Sequence, residues 1–305
     1  MHGMDYAEVR EAFFQPADVS AADVGTAAWR SPARRLRDAI EPIAMIYTWA
    51  EPAYDAYAAH GLDFLSGYAW ARASVLGEPD PGVVVATFGV FEPGMLTGVY
   101  ETARRSCTLA EIRAACQAGV TTSLRAALGA PEQARHVAGL LRHAAQGVAL
   151  TARPLFAGVS GLPWPEDELA QLWQACSMLR ELRGDSHLAA CAAAGLTGLE
   201  ANILTEMQVG FPRRSYTATR GWAPEAMDRA EASMARRGLV TGDGLTGAGA
   251  SLRADIEERT DRQLDPVINA IGPYVETLVP LLDGWSARVI ERGWFPPDPY
   301  KRAAG

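Results

Sequence analysis

The segment from 223 to 252 constrains the fold most, because it fixes the order helix, hairpin, helix. Pro224 suits the first turn of a helix that runs to Arg237 and stops at Gly238. The tight turn Gly242-Asp243-Gly244 then separates two short extended arms, which predicts a β-hairpin. The chain after the hairpin, 248–291, has the apolar spacing of helices. We therefore predict a mainly α protein with one short hairpin.

The chain before this segment also shows helical periodicity. Apolar spacing and Pro/Gly clusters predict successive helices over 36–150, and Thr108 followed by Glu111 is a capping box at the start of one of them. Two prolines flank Trp164 in a stiff stretch that we take as a boundary. The predicted parts are a flexible arm at 1–33, an N-terminal helical lobe at 34–157, a connector at 158–166, a winged-helix-like lobe at 167–265, and C-terminal helices with a tail at 266–305.

Composition excludes several classes of protein. The 305 residues are 49% apolar and 21% charged, which is typical of a globular chain and not of a disordered one. The net charge of −8 argues against a protein that binds nucleic acid or anionic membranes over its whole surface. The four cysteines form no CxxC pair, the N-terminus lacks an apolar signal core, and no apolar run reaches membrane-span length. We expect a cytoplasmic protein with reduced thiols.

Residues 196–265 resemble the winged helix-turn-helix core of MarR-type regulators, most closely at the hairpin exit, 245–253. Over about 34–292 the chain resembles a bacterial helix-turn-helix family common in antibiotic producers. The motifs that carry this resemblance are 67–72 (GYAWAR), 153–155 (RPL), 179–187 (LRELRGDSH), 198–201 (GLEA), 219–222 (TRGW) and 260–261 (TD). The resemblance implies a winged helix-turn-helix fold and a place in specialised natural-product metabolism. It also implies a homodimer that pairs through terminal helices, and the segment 267–290 is apolar enough to form such an interface.

The same resemblance implies that the helix at 223–237 enters the major groove of DNA and that the hairpin acts as a wing. Phosphate contacts provide most of the affinity for DNA, yet acids occupy the first half of this helix and the wing tip carries Asp243 and no cation. The remaining DNA-binding candidates are Arg213, Arg214 and Arg220 in the preceding turn. The alternative is that these arginines form a solvated loop.

The densest polar cluster is the run from Arg183 to His187. Gly184 suits the end of one helix and Asp185 the N-cap of the next, which places His187 in a first turn where the helix dipole keeps its ring neutral. A neutral histidine beside Asp185 and Arg183 is a candidate general base or ligand anchor. The alternative is a capped helix junction with a partly buried histidine.

Glu200 completes the candidate catalytic set, because its spacing puts it on or beside an apolar stripe. A carboxylate in that position must be paired or have a raised pKa. We expect Arg183 or Arg220 to pair with it, and a plain internal ion pair is the alternative.

Two pairs of residues in the N-terminal lobe suggest a ligand pocket. Tyr68 and Arg72 share a face of one helix, and Tyr47 and Glu51 share a face of the preceding one. Together these predict a polar-ended aromatic pocket, with a helix–helix seam as the alternative. The candidate ligand-binding tryptophans are Trp164 and Trp222, although tryptophans of this kind more often belong to a core.

No metal or cofactor is expected. His187 and Cys191 share a helix face, but no third ligand follows at metal spacing. The sequence contains no GxGxxG, GKS/T or GxSxG motif. We predict a small-molecule-binding protein on a repurposed MarR-like scaffold, with cofactor-free acid/base activity by His187 as one version. The alternatives are a ligand-responsive DNA-binding regulator and a scaffold protein without a ligand.

Overall fold

The computed structural model describes residues 6–14, 31–242 and 244–298 of the chain. The helices are α1 Tyr6–Phe14, α2 Pro32–Ala44, α3 Ile46–Trp49, α4 Glu51–Ala58, α5 Phe64–Ala73, α6 Pro81–Phe88, α7 Pro93–Ser106, α8 Leu109–Leu128, α9 Ala134–Gln146, α10 Pro154–Ser160, α11 Glu168–Ala193, α12 Gly198–Val209, α13 Ser215–Ala218, α14 Pro224–Arg236, α15 Gly247–Arg262, α16 Asp265–Ile271 and α17 Val275–Glu291. Short 3₁₀ turns occupy Ser74–Leu76 and Gly272–Tyr274. The strands are β1 Val240–Thr241 and β2 Gly244–Leu245.

The prediction of a mainly α protein with a short hairpin is confirmed. Helix α14 begins at Pro224, and Gly238 follows its end in a positive-φ conformation that favours glycine. The two strands pair antiparallel, with Val240 opposite Leu245. Helix α8 begins with the expected capping box, in which Thr108 and Glu111 exchange hydrogen bonds. Asp243, at the tip of the hairpin, lies outside the described residues.

Helix α11 is the central helix, and it corrects one prediction. It runs without a break from Glu168 to Ala193, so the helix end predicted at Gly184 and the new start at Asp185 are wrong. Its N-cap is Asp167, which accepts hydrogen bonds from the first backbone N–H groups. A glycine inside a helix costs about 1 kcal/mol. Burial of α11 among α2, α8, α9, α10 and α15 outweighs that local preference.

The buried apolar residues form two clusters that meet at the C-terminal end of α11. The larger cluster extends from Val9 to Phe295 and includes residues on both sides of the predicted connector at 158–166. The smaller cluster begins at Ala190 and contains the apolar faces of α12, α14 and the hairpin. The connector therefore does not separate the two cores. The domain boundaries stay predictions.

The C-terminal helices return to the larger cluster. Val267 of α16 and Leu282 and Val289 of α17 are fully buried within the chain, and α17 packs along α2. The apolar residues that suggested a dimer interface are thus used in the chain's own core. Pairing of two copies stays a prediction.

Helix α1 lies within the predicted flexible arm. Its Phe13 ring is 5.3 Å from Trp49 and 5.5 Å from Tyr216, measured between ring centroids. This part of the arm is therefore a helix that packs on both the first lobe and α13. Residues 1–5 and 15–30 of the arm lie outside the described residues.

The segment from α12 to α14 is fastened to the loop that follows α6. The side chains of Asn202 and Trp222 both donate hydrogen bonds to the carbonyl of Val90, at 2.7 and 2.9 Å. The backbone N–H of Glu92 donates to the carbonyl of Arg220 at 2.8 Å. These contacts fix the orientation of α12 and α13 toward the N-terminal lobe.

No single helix in 6–14, 31–242 and 244–298 has the length and apolarity to cross a membrane; α11 and α12 pass such a test only together, across a 106° bend.

Candidate functional site

A cavity of about 140 Å³ lies where the N-terminal lobe meets α12 and α13. Helices α1, α2, α3, α5, α6, α11, α12 and α13 contribute to its wall, together with the loop after α6 and residues 295–296. A cavity of this volume holds roughly ten water molecules. A small organic molecule can therefore be accommodated there.

Aromatic rings form much of the wall of the cavity. The ring-bearing lining residues are Phe13, Trp49, Phe64, Tyr68, Phe88, Phe91, Tyr216 and Phe295. The rings of Tyr68, Phe88 and Phe91 contact one another, with centroids 6.0 to 6.1 Å apart. Such a surface favours flat, apolar molecules, because stacked and edge-on rings gain from contact as well as from burial.

The polar part of the wall is strongly cationic. Of the residues that the structure describes, the lining arginines are Arg37, Arg72, Arg180, Arg183 and Arg220, whereas Glu41 is the one lining carboxylate. Buried cations need counter-charges, and several carboxylates behind the wall provide them.

The first of these carboxylates is Glu181 on α11. Its oxygens accept two hydrogen bonds from Arg72, at 3.1 and 2.8 Å, and one from Arg180 at 2.8 Å. Arg180 also donates to Glu41 at 3.3 Å. Burial alone would raise the pKa of Glu181, but the two guanidinium groups outweigh it and hold the pKa below its usual value. Glu181 is therefore ionised near neutral pH.

The second is Glu257 on α15, which accepts a hydrogen bond from Arg183 at 2.6 Å and pairs with Arg253 as well. Its pKa is held well below the usual value because these arginines outweigh the effect of burial. Helix α15, which follows the hairpin, is in this way joined to α11 at the cavity.

His187 lines the cavity, but in a different setting from the one predicted. It lies in the interior of α11, so no helix N-terminus acts on it. Burial, followed by the nearby Arg253 and Arg183, lowers its pKa to about 3 despite the opposing charge of Glu257. Its Nδ1 lies 3.3 Å from the Thr260 hydroxyl. With this pKa the ring is neutral near pH 7 and is a weak base.

Asp185 faces away from the cavity. Its carboxylate accepts a hydrogen bond from the backbone N–H of Phe156 at 2.9 Å, in the first turn of α10. Burial raises the pKa of Asp185 to about 7. The predicted pair of Asp185 and His187 is therefore absent, because adjacent faces of one continuous helix point in different directions.

Glu200 also lies outside the cavity wall, and its predicted partners are wrong. It accepts hydrogen bonds from the Thr197 backbone N–H at 2.9 Å and from Arg237 at 3.3 Å, not from Arg183 or Arg220. Thr197 and Glu200 form a capping box at the start of α12. Its position on an apolar stripe is thus explained by helix capping and one ion pair.

The predicted ligand-binding set divides into two groups. Tyr68 and Arg72 line the cavity, and Arg72 donates to the Tyr68 hydroxyl at 3.1 Å. Tyr47 stacks on Tyr68 from behind, with ring centroids 6.0 Å apart. Glu51 is exposed at the start of α4 and does not reach the cavity.

The two tryptophans of that set also lie outside the cavity wall. Trp164 packs beneath the guanidinium of Arg142 at 4.4 Å. The indole N–H of Trp222 donates the hydrogen bond to the Val90 carbonyl. Neither position supports a direct role in ligand binding.

The model of a family described as a helix-turn-helix family matches residues 33–296. The chain belongs to this helix-turn-helix family. The family match supports a domain of the DNA-binding type, and the sequence predicts it in α12–α14, which we call the helix-turn-helix segment. Comparison with curated proteins and with solved structures gives no significant match.

The candidate DNA-contacting arginines of the helix-turn-helix segment have other partners. Arg214 pairs with Asp228 at 2.6 Å and with Glu231 at 3.1 Å, and Arg213 also contacts Glu231. Arg220 points into the cavity. The exposed face of α14 carries Glu225 and Asp228 toward its start. The turn thus neutralises acids on α14 instead of presenting free cations.

The residues that the sequence missed are mainly Arg37, Arg180 and Phe91. Arg37 and Phe91 lie in ordinary helical or loop contexts, with no motif that separates them from core residues. Arg180 lies within the family motif at 179–187, but nothing local distinguishes it from the other residues of that helix. Among the described residues, no group of three His, Cys, Asp or Glu side chains could hold a metal ion.

Proposed function

We propose that this protein binds a small, mostly apolar organic molecule in the cavity between its N-terminal lobe and its helix-turn-helix segment. The observation that carries the proposal is the aromatic wall with several arginines among its lining residues. Ligand sites favour junctions of this kind, where an apolar surface meets a few convergent polar groups.

Binding is better supported than catalysis. A general base works best when its pKa lies near the working pH, whereas that of His187 is about 3. Asp185 and Glu200, the other acid/base candidates, lie outside the cavity wall. We therefore propose capture or sensing of the molecule, in line with the specialised metabolism that the sequence resemblance implies.

Titration with the neutral fluorescent probe N-phenyl-1-naphthylamine tests this proposal. We expect saturable binding, and we expect it to be lost in Ala201→Phe, because Ala201 is buried in the wall of the cavity. The matched control is Ala192→Phe, which makes the same change at an exposed position of α11 and should leave binding intact. Equal binding by both variants would show that the probe lies elsewhere and would refute the proposal.

A ligand-responsive transcriptional regulator is the second candidate, and membership of the helix-turn-helix family favours it. Arg220 lies in the turn before α14 and also in the cavity, so a bound molecule would contact the element that positions α14. Binding to DNA from the region upstream of its own coding sequence, at low and moderate salt, tests this candidate. A steep loss of affinity with salt would support it, and no binding at low salt would exclude it.

A further inference from the structure

We infer that the molecule held in the cavity is an organic anion, and that its negative charge pairs with Arg220. This inference rests on the proposed binding function and adds the chemical class of the ligand. Three observations carry it: the surroundings of Arg220, the sharing of carboxylates among the other lining arginines, and the adjacent rings that connect Arg72 to Arg220.

The guanidinium of Arg220 lies in a cage of aromatic rings. Its central carbon is 4.5 Å from the ring centroid of Tyr216 and 5.1 Å from those of Phe13 and Phe91. Two of its nitrogens donate to hydroxyls, one to Thr219 at 3.0 Å and one to Tyr216 at 3.3 Å. The third nitrogen, Nε, is buried and makes no hydrogen bond.

No carboxylate within 6–14, 31–242 or 244–298 forms an ion pair with Arg220. Ring faces and hydroxyls stabilise a guanidinium only in part, and removing it from water without a counter-charge is costly. The side chain nevertheless is half-buried and lines the cavity. An anion in the cavity would provide the missing counter-charge and an acceptor for Nε.

The carboxylates around the other lining arginines are shared among several cations. Arg72 and Arg180 share Glu181, and Arg180 also pairs with Glu41. Arg183 shares Glu257 with Arg34 and Arg253. The Nε of Arg183 is also buried without a hydrogen-bond partner. Cations that share carboxylates leave a positive potential at the cavity, and this potential favours anions over neutral molecules.

The rings of the wall indicate the body of the ligand. Arg72 lies 4.5 Å from the ring centroid of Phe88, and Phe88 is 6.1 Å from Phe91, on which Arg220 lies. A flat molecule along this row would contact rings while its charged group reaches Arg220. The ligand class is therefore a carboxylate, sulfonate or phenolate on an aromatic or fused-ring body.

Two probes that differ by one sulfonate group test the inference. The anionic probe is 8-anilinonaphthalene-1-sulfonate, and the neutral one is N-phenyl-1-naphthylamine, which lacks the sulfonate. We expect the anion to bind the intact protein about tenfold more tightly or better. In Arg220→Met this preference should fall to about one, since the methionine keeps the apolar stem and its sulfur can contact the same rings.

The matched control is Arg142→Met, which removes a guanidinium from above Trp164 at a place outside the cavity wall. It should keep the full preference for the anion. Arg220→Lys, which retains the charge, should keep a clear preference as well. We also expect the melting temperature of Arg220→Met to stay within about 2 °C of the parent, because an uncompensated cation adds little stability.

The outcomes separate the two proposals. Equal affinity for both probes, or an anion preference that survives Arg220→Met, would overturn the anion inference and leave the binding function standing. Equal loss of preference in Arg220→Met and Arg220→Lys would overturn the argument from charge. Failure of both probes to bind would overturn the binding function itself.

Discussion

Arg72 on α5 and Glu181 on α11 form a two-point ion pair, in which Nε and Nη2 of the arginine lie 3.1 and 2.8 Å from the two carboxylate oxygens. Parallel N–H···O bonds of this kind fix orientation as well as distance. The pair joins the N-terminal lobe to the central helix at the cavity. It therefore fixes the position of the lining residues of α5 relative to those of α11.

Glu181→Gln should lower the free energy of unfolding by about 3 kcal/mol, since it leaves Arg72 and Arg180 buried with less counter-charge. Urea unfolding followed by circular dichroism measures this loss. Glu258→Gln is the matched control, because Glu258 pairs with Arg262 in an exposed position. That control should change stability by less than about 0.5 kcal/mol. Equal effects would show that the buried pair contributes no more than a surface one.

Gly198→Ala should separate the helix-turn-helix segment from the N-terminal lobe. A Cβ at Gly198 would lie 1.8 Å from the carbonyl oxygen of Gly89, which is backbone and cannot swing away. We expect a loss of roughly 2 kcal/mol or more, in the range of overpacked sites, and weaker binding of the neutral probe. Unchanged stability would mean that this close approach is absent in solution.

The matched control for that change is Gly184→Ala. A Cβ there would make only ordinary contacts, 3.7 Å to Glu181 and 3.9 Å to Arg72. Because Gly184 lies in a helix interior, alanine should raise the free energy of unfolding by about 0.5–1 kcal/mol. Thermal melts of the two alanine variants should thus shift in opposite directions.

Local signals were enough to predict much of the fold. The capping box at Thr108, the proline at the start of α14 and the turn before Gly244 each act through neighbouring residues, so the sequence shows them directly. The break predicted at Gly184 failed because long-range burial of α11 overrode a local preference worth about 1 kcal/mol.

The site was predicted only in part, for a related reason. Tyr68 and Arg72 share a helix face, and this spacing was sufficient to place them together. Arg220 was assigned to DNA binding because its position in the turn suggests a surface. The turn that carries Arg220 is held against the N-terminal lobe by a backbone hydrogen bond. The N–H of Glu92 donates it to the Arg220 carbonyl, and these two residues are far apart in sequence. No local pattern encodes such docking.

Asp185→Asn should change how stability depends on pH. The pKa of Asp185 is raised from 3.8 to about 7, so between these values the folded chain keeps a proton that the unfolded chain has lost. This group therefore makes the protein less stable as pH rises from about 4 to 7, by up to about 1.4 kcal/mol per pH unit. Asparagine does not titrate but can still accept from Phe156, so this contribution should vanish.

Urea midpoints at pH 5 and pH 8 measure the effect. The stability of Asp185→Asn relative to the parent should be higher at pH 8 than at pH 5. Asp255→Asn, at an exposed position on α15, serves as the control and should show no such difference. A parallel pH profile for Asp185→Asn and the parent would show that Asp185 titrates normally.

His187→Asn should change the acid limb of the same profile in the opposite sense. The pKa of His187 is lowered from 6.5 to about 3, so between these values the unfolded chain binds a proton that the folded chain does not. The histidine thus costs stability as pH falls from about 6.5 to 3. Asparagine at 187 cannot bind that proton, so this variant should resist acid unfolding better than the parent.

The measurement is the free energy of unfolding at pH 4 and pH 7, with His143→Asn, at an exposed position on α9, as the control. Relative to the parent, the free energy of unfolding of His187→Asn should be higher at pH 4 than at pH 7. The free energy of unfolding of His143→Asn should change with pH as that of the parent does. If His187 instead carried a proton in the folded state, its replacement would remove an ion pair with Glu257, and the variant would lose stability in acid. The sign of the change at pH 4 therefore distinguishes a neutral histidine in the cavity wall from a charged one.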